Sequence, residues 1–319
     1  MSVFTRVERA QLDAFLATYD QGELLEFAGI SDGIVNTNYF VTTTAGQFVL
    51  TLFEELNSGE LPYFIELMRF AHERDVPCAL PIADKAGQHL RELCGRPALL
   101  VERLSGRGVD QPSINQCAAI GDALGRLHDV GKDFQHHRQS EHDVAWHEAA
   151  AAKVLTVLDE EDARLLNSEM VFHRSNGEMV FHRSNDYSDL PRGLTHGDLF
   201  RDNALFDGDT LSGVIDFYYA CDHILLHDLA VVANDWCVRA DGGLDDQRLQ
   251  VLLSAYQQQR AIDDKEMSYW SAMLRAAALR YWLSRLYDLH FPRPGEITHA
   301  KDPDHFRRIL LQRIALPSN

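Results

Sequence analysis

Basic residues are scarce in this chain. Thirty Lys and Arg stand against 48 Asp and Glu, a formal net charge of −18, and no local run of Lys or Arg offsets it. A field of that sign repels a phosphate backbone, so nucleic-acid partners are excluded. It also makes an anionic nucleotide costly to admit without a metal ion. Cysteine is sparse too. The five (Cys78, Cys94, Cys117, Cys221, Cys237) are odd in number and never in C-x-x-C spacing, which argues against a disulfide framework or a cysteine zinc site. The 15 histidines include no H-E-x-x-H, and the adjacent His136 and His137 would diverge on a helix. No apolar run approaches the ~20 residues of a membrane span. The charged opening MSVFTRVERAQLD has no signal-peptide core, so the expected location is the cytoplasm, with no membrane partner. The GK[ST] of a Walker A loop is absent, and the lone Gly106-x-Gly108 has Gln111 where G-x-G-x-x-G needs a third glycine.

At about 150 residues per domain, the 319 residues suggest two domains or one two-lobed unit. A first helix is expected from Thr5, with Glu8 completing a capping box and Leu12, Phe15, Leu16 and Tyr19 on one face. From Leu24 the pattern becomes LLEFAGI, TNYFVTT and QFVLTLF, short β-rich stretches punctuated by Gly29, Gly33 and Ala45-Gly46. A helix over 61–73 and strands near 78–82, 89–93 and 97–102 complete an antiparallel sheet with one inserted helix. After Leu104 the connector SGRGVDQPS leads into helical periodicity. One helix ends near His128, another covers 145–158, and a long one runs from the Asp263–Glu266 cap to about His290. The fold class is therefore α+β, with lobes at 1–104 and 105–319, the second mostly helical. EMVFHRSN occurs twice, at 169–176 and 178–185. The spare copy is expected in a surface loop, a functional pair of His173 and His182 being the alternative.

The informative stretch is Thr195–Phe217, THGDLFRDNALFDGDTLSGVIDF. Asp198 and Asn203 form H-G-D-x-x-x-x-N, and Asp216 ends an apolar strand 13 residues after Asn203. Asp207-Gly208 signals a hairpin turn between the two, which brings Asn203 and Asp216 together. An oxygen from each suits Mg²⁺, a hard cation that also takes phosphate oxygens. Asp198 would face a hydroxyl and take its proton. That set is what phosphoryl transfer to an alcohol requires.

HGD-x-x-x-x-N followed by I-D-F resembles the aminoglycoside-phosphotransferase/choline-kinase-like superfamily, whose fold is two-lobed and protein-kinase-like. Leu124–His128 (LGRLH) and His227–Ala230 (HDLA) are similar to segments flanking its catalytic loop. In detail, GISDGIVNTNYFVTT (29–43), FVLTLFE (48–54), LPYFIELM (61–68), LTHGDLFRDNALF (194–206) and GVIDFYYAC (213–221) resemble the bacterial homoserine kinases of that superfamily. The resemblance implies ATP-dependent phosphorylation of L-homoserine, with Asp198 as catalytic base and Asn203 and Asp216 holding Mg²⁺. It also implies that Gly29, Gly33 and Asn36 cover the nucleotide phosphates, and that the backbone of 101–104, including Glu102 and Leu104, receives the adenine.

The chain departs from the kinase pattern at Thr51, which stands where the phosphate-binding lysine belongs, leaving Glu66 without an evident partner. Homoserine is a zwitterion with one primary hydroxyl, so its pocket needs acceptors for an ammonium and donors for a carboxylate. Candidates are Arg201, Asp202, Tyr218, Asp222, Asp235 and Trp236, with Arg280 and Arg285 on the late helix. Other readings stay open: a kinase for choline, an aminoglycoside or a sugar alcohol, or a non-catalytic kinase-like binding protein.

Overall fold

The computed structural model describes residues 4–30, 35–175, 190–292 and 301–316. The chain divides into two compact units, Met1–Gly106 with Ser212–Ile215, and Arg107–Leu211 with Asp216–Asn319.

The first unit contains α1 (Arg9–Leu16), β1 (Leu24–Gly29), β2 (Thr37–Thr43), β3 (Gln47–Leu52), α2 (Leu61–His72), β4 (Leu90–Leu93) and β5 (Arg96–Glu102). Its strands form one antiparallel sheet in the order β1-β2-β3-β5-β4. Alternation along β2 buries Thr37, Tyr39, Val41 and Thr43, the period-2 pattern of a strand with one covered face. Tyr39 and Val41 join Leu50, Leu100 and the α1 residues Leu12, Phe15 and Leu16 in one core. The inserted helix α2 buries Phe64, Ile65, Leu67 and Met68.

Two local expectations shift. The helix α1 starts later than Thr5, with Glu8 as N-cap and Gln11 as its reciprocal partner. The reason is tertiary: the Phe4 and Thr5 amides bond Thr37 Oγ1, and the Val7 amide bonds the Tyr39 hydroxyl, which ties residues 4–7 to β2. The stretch 78–82 is not a strand but makes isolated bridges, Cys78 to Val214 and Pro81 to Val101. Pro81 has no N–H, so a regular ladder cannot pass through it.

The second unit holds α3 (Ile114–Val130), α4 (Val144–Val154), α5 (Glu160–Ser175), β6 (Arg192–Thr195), β7 (Ala204–Asp207), β8 (Thr210–Val214, whose end groups with the first unit), β9 (Cys221–Ile224), α6 (Leu225–Trp236), α7 (Asp246–Gln259), α8 (Asp264–Ser268), α9 (Trp270–His290) and α10 (Pro303–Ile314). Ser113 and Gln116 form the capping box of α3. The Ser113 hydroxyl and the Asn115 amide also bond Asp209, beside the Asp207-Gly208 turn. Every residue of α6 is buried, and Asp228, Asn234, Asp235 and Trp236 all have hydrogen-bond partners, as buried polar groups usually do. Asn234, for example, donates to the Leu274 carbonyl and accepts from Arg313. The single helix expected from Asp263 to His290 is two, because Tyr269 leaves the helical basin at φ −93°, ψ 1°. The buried Arg260–Glu266 ion pair, at 2.9 Å, fixes α8 separately.

The first EMVFHRSN copy is not loop up to Ser175. It is the last turns of α5, where Glu169 is buried and its carboxylate is paired by Arg275, and His173 is buried. The second copy, with His182, lies outside the described residues. Because the repeat is perfect, deleting 169–177 yields the same chain as deleting 177–185, so α5 keeps its sequence through Asn176. Only the spacing to β6 shortens, and closure entropy grows slowly with loop length. The deletion is expected to move Tm by less than about 5 °C. A larger fall would show that the second copy is packed.

Candidate active site

The loop after β6 is His196-Gly197-Asp198, and its conformation is imposed by the backbone. Gly197 has φ +78°, and a Cβ there would lie 2.7 Å from the Tyr219 carbonyl oxygen. No other residue fits that turn without strain. The loop hangs on Asp228 of α6, whose carboxylate accepts from the His196 amide at 2.8 Å and the Gly197 amide at 2.9 Å. His128 Nε2 reaches the same carboxylate at 3.1 Å, while its Nδ1 meets the Tyr256 hydroxyl at 2.7 Å. A Cβ on Gly125 would stand 2.7 Å from the Tyr256 carbonyl, so the glycine lets α7 approach α3 closely enough for that contact. LGRLH and HDLA are thus the support of the HGD loop.

Asp198 is half-buried. Asn203 Nδ2 donates to its carboxylate at 3.0 Å and to its carbonyl at 2.8 Å. The Tyr281 hydroxyl lies 3.2 Å from its other carboxylate oxygen and bonds the Gly197 carbonyl. Desolvation pushes the Asp198 carboxyl up to about 7, with the charge of Asp216 adding to the rise and Arg280 opposing it. Asp216 stands in the left-handed region at φ 64°, ψ 57°, a conformation aspartate tolerates better than most residues. It reaches solvent. Desolvation, then the charge of Asp202, push it up to about 6, against a hydrogen bond from the Tyr218 amide. Two carboxyls destabilised in this way are a site short of positive charge.

The donor set fits a hard divalent cation. Asn203 spends its amide hydrogens on Asp198, which leaves Oδ1 available, and Asp216 supplies carboxylate oxygens. A cation there would relieve both raised carboxyls.

The remaining sequence candidates separate. Arg201 makes a two-pronged pair with Asp235, at 3.1 and 3.2 Å, and its amide bonds the same carboxylate. Trp236 is fully buried, its indole N–H on the Leu199 carbonyl at 3.1 Å. Asp235 and Trp236 thus brace the loop from α6, through Arg201 and the Leu199 carbonyl. Asp222 accepts from the Arg138 amide and from His137, and Tyr218 acts through its amide on Asp216. Asp202 is exposed and holds Lys301 at 2.6 Å. Arg285 bonds the Asp302 carbonyl. Sequence reasoning missed Lys301 and Tyr281, because no motif surrounds them and each arrives from far along the chain.

In the first unit, Gly29 ends β1, Asn36 accepts from the Glu54 amide, and Gly33 lies outside the described residues. The Glu102 amide is spent on the Leu80 carbonyl and that of Arg103 on Gln47, whereas the Leu104 amide has no partner among the described residues. Thr51 is buried and its hydroxyl donates to Asn38 Oδ1 at 2.7 Å across the β2–β3 register. Glu66 pairs with Arg69 on its own helix at 3.1 Å. A Lys–Glu pair is thus replaced by two local interactions.

Three histidines of the second unit make an acid-sensitive core. Burial pushes His147 and His173 down to about 3 and His223 down to about 4, from an unfolded value near 6.5. Between pH 6.5 and about 4 the unfolded chain binds more protons, so stability is full above that window and falls as pH drops through it. Asp198 and Asp216, raised on folding, act in the opposite sense, and the histidines outnumber them. Tm is expected to fall from pH 6.5 to 4 at constant ionic strength; a flat profile would contradict the assignment.

A model of the phosphotransferase enzyme family matches residues 26–262. The homoserine kinase of Methylobacillus flagellatus is 50 % identical over 315 residues, 99 % of this chain and 96 % of that protein. That of Neisseria meningitidis is 41 % identical over 98 % of this chain and 99 % of its own. Among solved structures, an amicoumacin kinase in complex with AMP-PNP and Ca²⁺ superimposes with a TM-score of 0.70 at 15 % identity, covering 97 % of this chain and 92 % of that one. The last likeness is one of fold, kinase-like and α+β. The chain belongs to the phosphotransferase enzyme family.

Proposed function

We propose that the protein transfers the γ-phosphoryl group of ATP to the hydroxyl of L-homoserine, giving O-phospho-L-homoserine and ADP. The observation that carries the reading is the Asp198–Asn203–Asp216 cluster, a desolvated carboxyl flanked by a free amide oxygen and a second carboxylate, in a chain half identical to a homoserine kinase over nearly its whole length. Residues 1–104 would bind the nucleotide, with Gly29, Gly33 and Asn36 at the phosphates and Glu102 and Leu104 offering backbone groups to the adenine. Residues 105–319 would hold the acceptor and the chemistry.

Asp198 orients the acceptor hydroxyl and takes its proton as the oxygen–phosphorus bond forms and ADP departs. Tyr281 and Asn203 fix the carboxylate so that its basic oxygen needs no reorganisation. Asn203 Oδ1 and Asp216 would hold Mg²⁺, which when bound neutralises phosphate charge. Lys301, held by Asp202, adds positive charge near both carboxyls, in a protein whose usual lysine position is Thr51.

The test is ADP release from ATP with a panel of alcohols. L-Homoserine is expected to be the best acceptor. 4-Hydroxybutyrate, without the amine, and 3-aminopropanol, without the carboxylate, should each be down by on the order of 10²-fold in kcat/KM, because either leaves a buried partner unmatched. Choline or a sugar alcohol matching homoserine would overturn the substrate and leave phosphoryl transfer standing, and nucleotide binding without turnover on any alcohol would favour a binding protein. Asp216→Ala and Asn203→Ala are each expected to raise the Mg²⁺ concentration needed for half-maximal rate. An unchanged titration in both would place the metal elsewhere.

A further inference from the structure

Arg280 of α9 is 8 % exposed, and among the described residues no carboxylate pairs with it. Its recorded contacts are His142 Nδ1, at 3.3 Å from Nη2, and the Tyr281 ring, 4.0 Å below the guanidinium. In the same unit the buried Arg260 is neutralised by Glu266, and the partly buried Arg275 by Glu169. Arg313, the other exception, is bonded by Asn234 Oδ1 and the Gly242 carbonyl. A guanidinium removed from water without an anion is costly, and a planar fork of donors is suited to a carboxylate or a phosphate taken by two parallel bonds; the acceptor brings a carboxylate.

Arg280 also has somewhere to receive it. It lines a small polar cleft with Arg138, Glu141, Thr195, Gly197, Tyr219 and Asp228. Gly197 immediately precedes Asp198, and the residue after Arg280 is Tyr281, whose hydroxyl touches the Asp198 carboxylate. Arg138 lines the same cleft but is held by Glu141, so Arg280 is the cation there that no carboxylate pairs with among the described residues, and the proposed base stands beside it.

We propose that Arg280 binds the α-carboxylate of the acceptor while the acceptor's hydroxyl lies at Asp198, so that Arg280 selects hydroxy acids over amino alcohols. This rests on the homoserine reading and sharpens it to a specificity-determining residue.

The experiment measures kcat/KM of wild type, Arg280→Met and Arg280→Lys with L-homoserine, 4-hydroxybutyrate and 3-aminopropanol. Arg280→Met removes a charge acting on Asp198 for all three acceptors, but it is expected to cost the two carboxylate-bearing acceptors at least about tenfold more in kcat/KM than 3-aminopropanol, which has no carboxylate to lose. Arg280→Lys should lie between, keeping charge without the fork. Equal loss on all three acceptors, or no loss on homoserine, overturns the assignment while the homoserine reading stands. Failure of the wild type to phosphorylate homoserine overturns that reading and this one with it. A second measurement needs no variant: L-2-aminobutyrate, which is homoserine without its hydroxyl, should raise the Tm of the wild type, and propylamine should not. Absence of a shift with L-2-aminobutyrate, or an equal shift with propylamine, counts against Arg280.

Discussion

Asp198→Asn is expected to lower kcat by roughly 10²–10⁴, the usual worth of a general base, with ATP binding nearly unchanged. The substitution isolates basicity from shape. The Asn203 amide now donates to a carboxylate oxygen at 3.0 Å, and the amide oxygen of the substituted side chain can take that place. Its NH₂ then meets the Tyr281 oxygen, which already donates its proton to the Gly197 carbonyl. Every neighbour keeps a partner, so the loop has no reason to move. What disappears is the atom that could accept the acceptor's proton. ADP release gives kcat, and the ATP-dependent rise in Tm reports binding. Turnover near that of the wild type in a folded variant would remove Asp198 from the chemistry.

The residues that carry the site were legible in the sequence because they are close together in it. Asp198 and Asn203 share one loop, and Asp216 follows a hairpin whose turn is written in Asp207-Gly208. The sheet's hairpin of β2 and β3 was legible for a similar reason, since both are rich in β-branched and aromatic residues and are joined by a short turn. What escaped depends on distance along the chain. Tyr281 and Lys301 reach the loop from α9 and from just before α10, about 80 and 100 residues beyond Asp198. Arg201, Asp235 and Trp236 were read as acceptor-side groups because they are polar or aromatic near the motif. Only the packing of α6 shows that they pair with, or donate to, the loop itself. The start of α1 moved because Thr37 and Tyr39, on another element, claim the amides before it. The 78–82 stretch had strand composition but no second ladder to join.

Asp228→Ala is expected to destabilise the protein by about 3–5 kcal/mol, because it leaves three buried donors without their acceptor at about 1–3 kcal/mol each, and to lower Tm by on the order of 5–10 °C. Three donors meet on this carboxylate: the His196 amide, the Gly197 amide and His128 Nε2. Burial alone would raise the Asp228 carboxyl, but the hydrogen bond and charge of His128, with His196 beside it, hold it below the ordinary carboxylate range. The group is therefore an anion at working pH, and alanine leaves two backbone N–H groups and an imidazole buried without an acceptor. The second consequence is kinetic. The amide and carbonyl of Gly197 are both held, by Asp228 and Tyr281, which fixes where the turn sits. With the Asp228 anchor gone, Asp198 loses its place relative to Asn203. An ångström of misplacement at such a site costs about 10²-fold in rate, so kcat should fall by that order. Asp228→Asn keeps one acceptor oxygen but turns an NH₂ toward a donor, and should fall between the two in both Tm and kcat. A Tm within about 1 °C of the wild type, or a kcat within about twofold, in Asp228→Ala would mean that the loop stands without its anchor.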